Sequence, residues 1–189
     1  VGLFSSPHLV NKTERLTIGT DDEIIQISSN SLDSLVTEVH KTAMGLVDEG
    51  FENPTEFEII TAVLFCYFNR QKVYFAILEV GLGGIGDATN VIEKPLLSVI
   101  TSISYDHMDR LGSSLTEITK NKAGIIKTGV PCVTSNHIGS SLFSCDRASR
   151  EEIYVVLKAV ANEKGSTLFT TEALESSVLG SASVSPLSP

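Results

Sequence analysis

The stretch AILEVGLGGIGDATNV, Ala76 to Val91, decides how this chain is read. It begins as an apolar run, passes one acid at Glu79, and breaks into glycines at Gly81, Gly83, Gly84 and Gly86. A polar cluster follows, Asp87, Thr89 and Asn90. The run Val73–Val80 is β-rich and apolar, as expected of a parallel strand covered on both faces. Glycines after such a strand let the backbone approach a phosphate closely. In open α/β sheets, ligands bind beyond the carboxyl ends of the strands. Two readings fit Glu79: a structural acid capping a neighbouring loop, or a carboxylate that holds magnesium directly or through water.

Working outward, Val1–Phe4 reads as a strand running into the loop SSPHL, and Leu16–Ile18 and Ile24–Ile27 as short strands around a turn at Gly19–Asp22. Ser31–Glu49 has helical periodicity through Leu32, Leu35, Val36 and Val39, with Ser31 as N-cap and Gly50 as stop. Thr55–Asn69 is a second helix, apolar on most sides. Leu96–Thr101 and Val130–Thr134 read as strands, Ser114–Lys122 and Ser149–Lys164 as helices, and Ser166–Phe169 as a last strand. Strands alternating with helices predict an α/β fold, a largely parallel sheet with flanking helices. Its carboxyl rim would carry Glu79, the SSPH loop and the SYDH loop with His107.

The totals bound the function. The 189 residues, 42% hydrophobic, suit one domain, or one domain with a ragged end. A net charge of −9 argues against general nucleic-acid binding, because a phosphate backbone would be repelled. An anionic substrate then needs a local device, backbone amides or a metal ion. No apolar run approaches the roughly 20 residues that span a bilayer. Cys66, Cys132 and Cys145 are far apart and odd in number, which argues for reduced, intracellular thiols. The chain opens at Val1 already strand-like and closes in the Ser/Pro-rich SSVLGSASVSPLSP, which reads as a fragment with a disordered tail.

Taken singly, His107 reads as a ligand or an exposed structural histidine. Lys122 reads as functional or merely solvated, and Ser6, Pro7 and His8 as a site loop or a surface turn. Four stretches together are more specific: FSSPHLV at Phe4–Val10, PTEFEIITAVLF at Pro54–Phe65, LEVGLGGIGDATNVI at Leu78–Ile92, and ITSISYDHMDRLGSSLTEITKNKAGIIKTGVP at Ile100–Pro131. In order and spacing they resemble the folylpolyglutamate synthase and dihydrofolate synthase family of the Mur ligase group, over roughly residues 1–136.

The resemblance implies residues 1–169 as part of a Mur ligase-type central ATPase domain, with 170–189 as a tail. It implies an ATP- and Mg2+-dependent ligase that joins L-glutamate to a folate or dihydropteroate carboxylate through an acyl phosphate. Glu79 matches the family's magnesium-binding glutamate, Ser6 a serine near that first magnesium, and His107 a ligand of a second. Lys122 matches a catalytic lysine that is carbamylated. A free lysine, with its ordinary pKa of about 10.4, would repel the metal, whereas a carbamate offers it oxygens. Ser6, Pro7 and His8 border the substrate pocket, and Thr55, Phe57 and Asp87 match positions that hold the pterin. The expected partners are those substrates, with no nucleic acid and no membrane. The full-length protein is expected to be a monomer in the cytosol, with mitochondria as the alternative.

Departures accompany the resemblance. No G-x-x-x-x-G-K-[ST] phosphate loop occurs in the 189 residues, and the family's second domain is not among them. The chain alone is therefore expected to be inactive. The competing expectation is a non-catalytic relative that at most binds a pterin or a partner. Ile85 and Gly86 stand where the family usually has an arginine and a bulky residue, and Asn121 replaces an acid. The segment HIGSSLFSCDRAS, 137–149, reads as altered sequence. A truncated sheet is also expected to expose apolar surface.

Overall fold

A computed structural model describes residues 1–20, 23–135 and 147–171. Asp21 and Asp22 of the first turn, Cys145, most of the 137–149 segment and the Ser/Pro-rich end lie outside the described residues. The chain divides into two compact units, Val1–Leu82 with Gly86–Val91, and Gly83–Ile85 with Ile92–Pro189.

The first unit is a four-stranded sheet ordered β3-β2-β1-β4, from β1 (Gly2–Phe4), β2 (Leu16–Gly19), β3 (Ile24–Gln26) and β4 (Ala76–Leu78). β1 and β4 are parallel, with Gly2 opposite Ala76 and Phe4 opposite Leu78. β2 pairs antiparallel with β1 and with β3, so the expected hairpin forms. The helices α1 (Ser29–Asp48) and α2 (Glu56–Arg70) pack on each other. Phe4 and Leu16 from the sheet meet Leu32 and Leu35 of α1 and Val63, Leu64 and Phe68 of α2 in one core. Burying each such side chain contributes about 1.5–3 kcal/mol. Gly2 makes the close packing possible: a Cβ there would lie 2.7 Å from the Phe68 ring.

The second unit is a fully parallel sheet, β5 (Ser98–Ile100), β6 (Cys132–Thr134) and β7 (Leu168–Thr170), with Val99, Val133 and Phe169 on one rung. Its helices are a short α3 (Met108–Leu111), α4 (Leu115–Lys122) and α5 (Arg147–Glu163). α4 packs on α5, which buries Ile153, Leu157 and Ala161 at helical spacing.

The α/β class is borne out, and so is nearly every expected element. Three corrections follow from tertiary context. The strands form two separate sheets among the described residues, and the first is mixed because β2 and β3 fold back as a hairpin. The run Val73–Val80 shrinks to Ala76–Leu78 and is the end strand of its sheet, with Ile77 60% exposed instead of covered on both faces. α1 starts earlier, because the Ser28 side chain accepts the Ser31 N–H and is the true N-cap. The expected exposure of apolar sheet residues is seen at Leu3, Ile77 and Val99.

Candidate active-site loops

Parallel pairing of β1 and β4 brings their carboxyl ends side by side. The chain leaves β1 into the Ser5–Asn11 loop and leaves β4 at Glu79. The Glu79 N–H donates to the Phe4 carbonyl at 3.0 Å, and the Ser6 N–H donates to Glu79 Oε2 at 2.7 Å. Ser6 and Glu79, which the sequence separates by 73 positions, are thus joined directly. A carboxylate has about four lone-pair sites. The exposed Glu79 carboxylate spends one on Ser6, which leaves hard oxygen donors for a divalent cation.

The loop is held from its other side by residues 12–15, a 3-10 turn. Glu14 accepts the N–H groups of Leu9 at 2.8 Å, Val10 at 3.0 Å and Asn11 at 2.7 Å. Those backbone bonds hold its carboxyl below the usual glutamate range. Arg15 Nε donates to His8 Nδ1 at 3.1 Å, so the neutral His8 ring carries its proton on Nε2. Glu14 and Arg15 escaped the sequence reading, yet a signal was there: N-K-T-E, Asn11 to Glu14, has capping-box spacing.

The three residues expected around a pterin all have work inside the fold. Thr55 caps α2: its Oγ1 accepts the Glu58 N–H and donates to Glu58 Oε2, and its own N–H also bonds that oxygen. Phe57 is half-buried, 6.1 Å from the Phe4 ring, and lies against Gly81, where a Cβ would meet it at 2.3 Å. Asp87 is buried and closes the glycine loop. Its Oδ2 accepts the Leu82 N–H at 2.8 Å, and its Oδ1 accepts the Thr89 N–H at 2.9 Å and the Thr89 hydroxyl.

In the second unit, His107 lies after β5 in a left-handed conformation, φ +49°, which histidine tolerates better than most residues. Its N–H is taken by Asp106 Oδ1 at 2.8 Å, and its carbonyl accepts the Arg110 and Leu111 N–H groups. The imidazole stays exposed, with Nε2 at 3.7 Å from Asp106 Oδ2. Lys122 is the last residue of α4 and is half-buried. The glycine segment Gly83–Ile85 docks on this helix end. Ile85 N–H donates to the Asn121 carbonyl at 3.1 Å, and a Cβ on Gly84 would lie 2.6 Å from Asn121 O and 2.8 Å from Lys122 O. Gly124 faces Ile85 equally closely.

Among the described residues no group of three or more His, Cys, Asp or Glu side chains could hold a metal by itself. A metal at Glu79 would need further oxygen donors, such as the Ser6 hydroxyl or those of a bound ligand, to complete its shell. A surface hollow of about 280 Å³ beside Asn30, Ser34, Tyr67 and Arg70 contains none of these residues.

Residues 20–181 match the family model of the Mur ligase middle domain. The chain therefore belongs to the Mur ligase family. Within it, the branch read from the four motifs is borne out by curated relatives. The chain is 46% identical over 136 residues to the dihydrofolate synthase/folylpolyglutamate synthase of Bacillus subtilis, covering 71% of this chain and 30% of that protein. It is 42% identical over 137 residues to the folylpolyglutamate synthase of Lacticaseibacillus casei, covering 72% and 31%. Among solved structures, an FPGS–AMPPCP–folate complex superposes with a TM-score of 0.74 at 35% identity, over 89% of this chain and 37% of that one. A bifunctional folylpolyglutamate synthase/dihydrofolate synthase with Mn, AMPPNP and L-glutamate bound gives a TM-score of 0.67 at 30% identity, over 89% of this chain and 36% of that one. The chain spans about a third of the length of these relatives. No described helix is long and apolar enough to cross a membrane.

Proposed function

We propose that this chain is the part of an ATP-dependent ligase that presents a divalent metal and a folate-type substrate to each other. The ligase joins L-glutamate to the carboxylate of a folate or of dihydropteroate. The observation that carries this reading is the Ser6 N–H bond to Glu79 Oε2 at 2.7 Å, which unites the SSPH loop with the carboxylate at one sheet rim. Family membership and relatives solved with AMPPCP, folate, AMPPNP, Mn and L-glutamate supply the context.

In this reading the substrate carboxylate attacks the γ-phosphorus of ATP, ADP leaves, and an acyl phosphate forms. The neutral amine of glutamate then attacks the acyl carbon, phosphate departs with the C–O electron pair, the nitrogen gives up a proton to solvent or the leaving phosphate, and an amide remains. The protein's work is positioning and charge neutralisation. Magnesium, when bound, supplies positive charge that a chain of net charge −9 lacks. Glu79 and Ser6 would hold one ion by oxygen donors. His107 would serve a second, with Lys122 as a carbamate. His8 offers its Nε2 N–H to an acceptor on the substrate. Pro7 borders the same pocket, and Phe57 offers an aromatic face to a pterin ring held near Thr55 and Asp87. The 189 residues contain no phosphate-loop motif, so ligation by them alone is not expected.

The test is calorimetry of this chain with Mn2+ and with dihydropteroate, against Glu79→Ala. The expected result is dihydropteroate binding by the native chain and loss of Mn2+ affinity in the variant. A folded chain that binds neither, or Mn2+ affinity unchanged in Glu79→Ala, overturns the reading.

A further inference from the structure

We infer that Glu14 is a positioning residue that holds the Ser6–His8 segment in place, and with it the Ser6 N–H on Glu79. Leu9 and Val10 are 93% and 79% exposed, so the loop gains nothing from burying their side chains. With its two large apolar side chains in solvent, the loop depends chiefly on hydrogen bonds to offset its ordering entropy. Here three consecutive N–H groups, those of Leu9, Val10 and Asn11, converge on one carboxylate. The neighbouring Arg15 takes both other ends of the segment: its carbonyl accepts the Ser5 N–H at 3.1 Å, and its Nε donates to His8. The Ser6–His8 segment is thus bracketed by Ser5 and Leu9, both tied to the Glu14–Arg15 pair. Among the described residues, this segment reaches the proposed metal ligand through the Ser6 N–H on Glu79 Oε2. Bonds to an ionised acceptor are about twice as strong as neutral ones, which suits one side chain to restrain a whole loop.

Glu14→Gln is the incisive variant. It keeps the shape but turns one oxygen into an NH2 that faces a backbone N–H donor. The readout is amide hydrogen exchange of the whole chain by NMR. Glu14→Gln is expected to speed exchange about tenfold or more at Leu9, Val10 and Asn11 and also at Ser6, which Glu14 does not touch. Val63 and Leu64 in the α2 core should keep their protection. A Ser6 rate that stays unchanged while residues 9–11 accelerate overturns the inference, because Glu14 would then shape only its own turn. If Glu14→Gln lowers core protection as well, the native chain decides: Leu9 and Val10 amides must be protected despite their exposure, and exchange at the unstructured rate overturns the inference. The benefit to substrate binding rests on the proposed function, and the same pair of proteins separates the two. A Ser6 effect in a native chain that binds no dihydropteroate refutes the substrate reading and supports the clamp.

Discussion

Gly84 gives the sharpest energetic test of how the glycine loop is seated. It is buried, and its conformation is one any residue can adopt, so a substitution meets no backbone strain. What a side chain would meet is backbone: Asn121 O at 2.6 Å, Lys122 O at 2.8 Å, and Ile125 Cγ2 at 3.2 Å. The two carbonyls belong to the end of α4 and cannot swing aside as a side-chain tip can. Overpacking of this kind costs about 1–3 kcal/mol. Pushing the loop off the helix also strains the Ile85 N–H bond to Asn121 O, worth about 0.5–1.5 kcal/mol. Gly84→Ala should therefore cost about 2–4 kcal/mol in all. Gly86 is the control, two residues away in the same loop, where a Cβ would meet nothing within 4 Å. Gly86→Ala should stay within about 0.5 kcal/mol of the native chain. Urea unfolding followed by circular dichroism reads both. With a slope of about 2 kcal/mol/M, Gly84→Ala should lower the midpoint by roughly 1–2 M. Amide exchange at Ile118 and Thr119 then locates the loss in α4. Equal midpoints for Gly84→Ala and the native chain, or equal losses for the two variants, would refute the docking argument.

Asp87→Ala leaves the Leu82 and Thr89 N–H groups without their acceptor and should cost about 2–4 kcal/mol, with amide exchange at those two residues accelerating first. Glu14, Glu58 and Glu117 all have carboxyls held below 4.5, chiefly by N–H groups of Asn11, Thr55 and Ser113 respectively. A depressed folded pKa means that the unfolded chain protonates first as pH falls. Their contribution is thus present above 4.5 and lost as pH drops through the folded values; amides of Asn11, Thr55 and Ser113 should be protected at neutral pH and freed in acid. Protection that persists unchanged in acid would contradict this. Cys132 is fully buried and its thiol is pushed up to about 11 by burial. At mildly alkaline pH it should resist a thiol reagent until urea unfolds the chain, and mass spectrometry of labelled peptides checks this.

The sequence by itself determined the α/β class, most element boundaries and the family. These follow from local rules: Thr55-x-x-Glu58 and Ser114-x-x-Glu117 cap their helices by contacts three residues apart, and both helices start where the spacing says. It also singled out Glu79, because an acid between an apolar run and glycines is conspicuous in one dimension. Tertiary structure decided what no window along the chain contains. Only the parallel pairing of β1 with β4 sets Ser6 on Glu79 across 73 positions. Only the docked loop shows that Gly84 is needed against α4 while Gly86 is not. β4 reads as a covered strand but ends its sheet, since periodicity reports side-chain character and not which neighbours arrive. Asp87 and Glu14 are both acids in polar stretches, and their sequence contexts look alike. One closes the glycine loop and the other holds the SSPH loop, a difference made by which backbone N–H groups the folded chain turns toward each carboxylate.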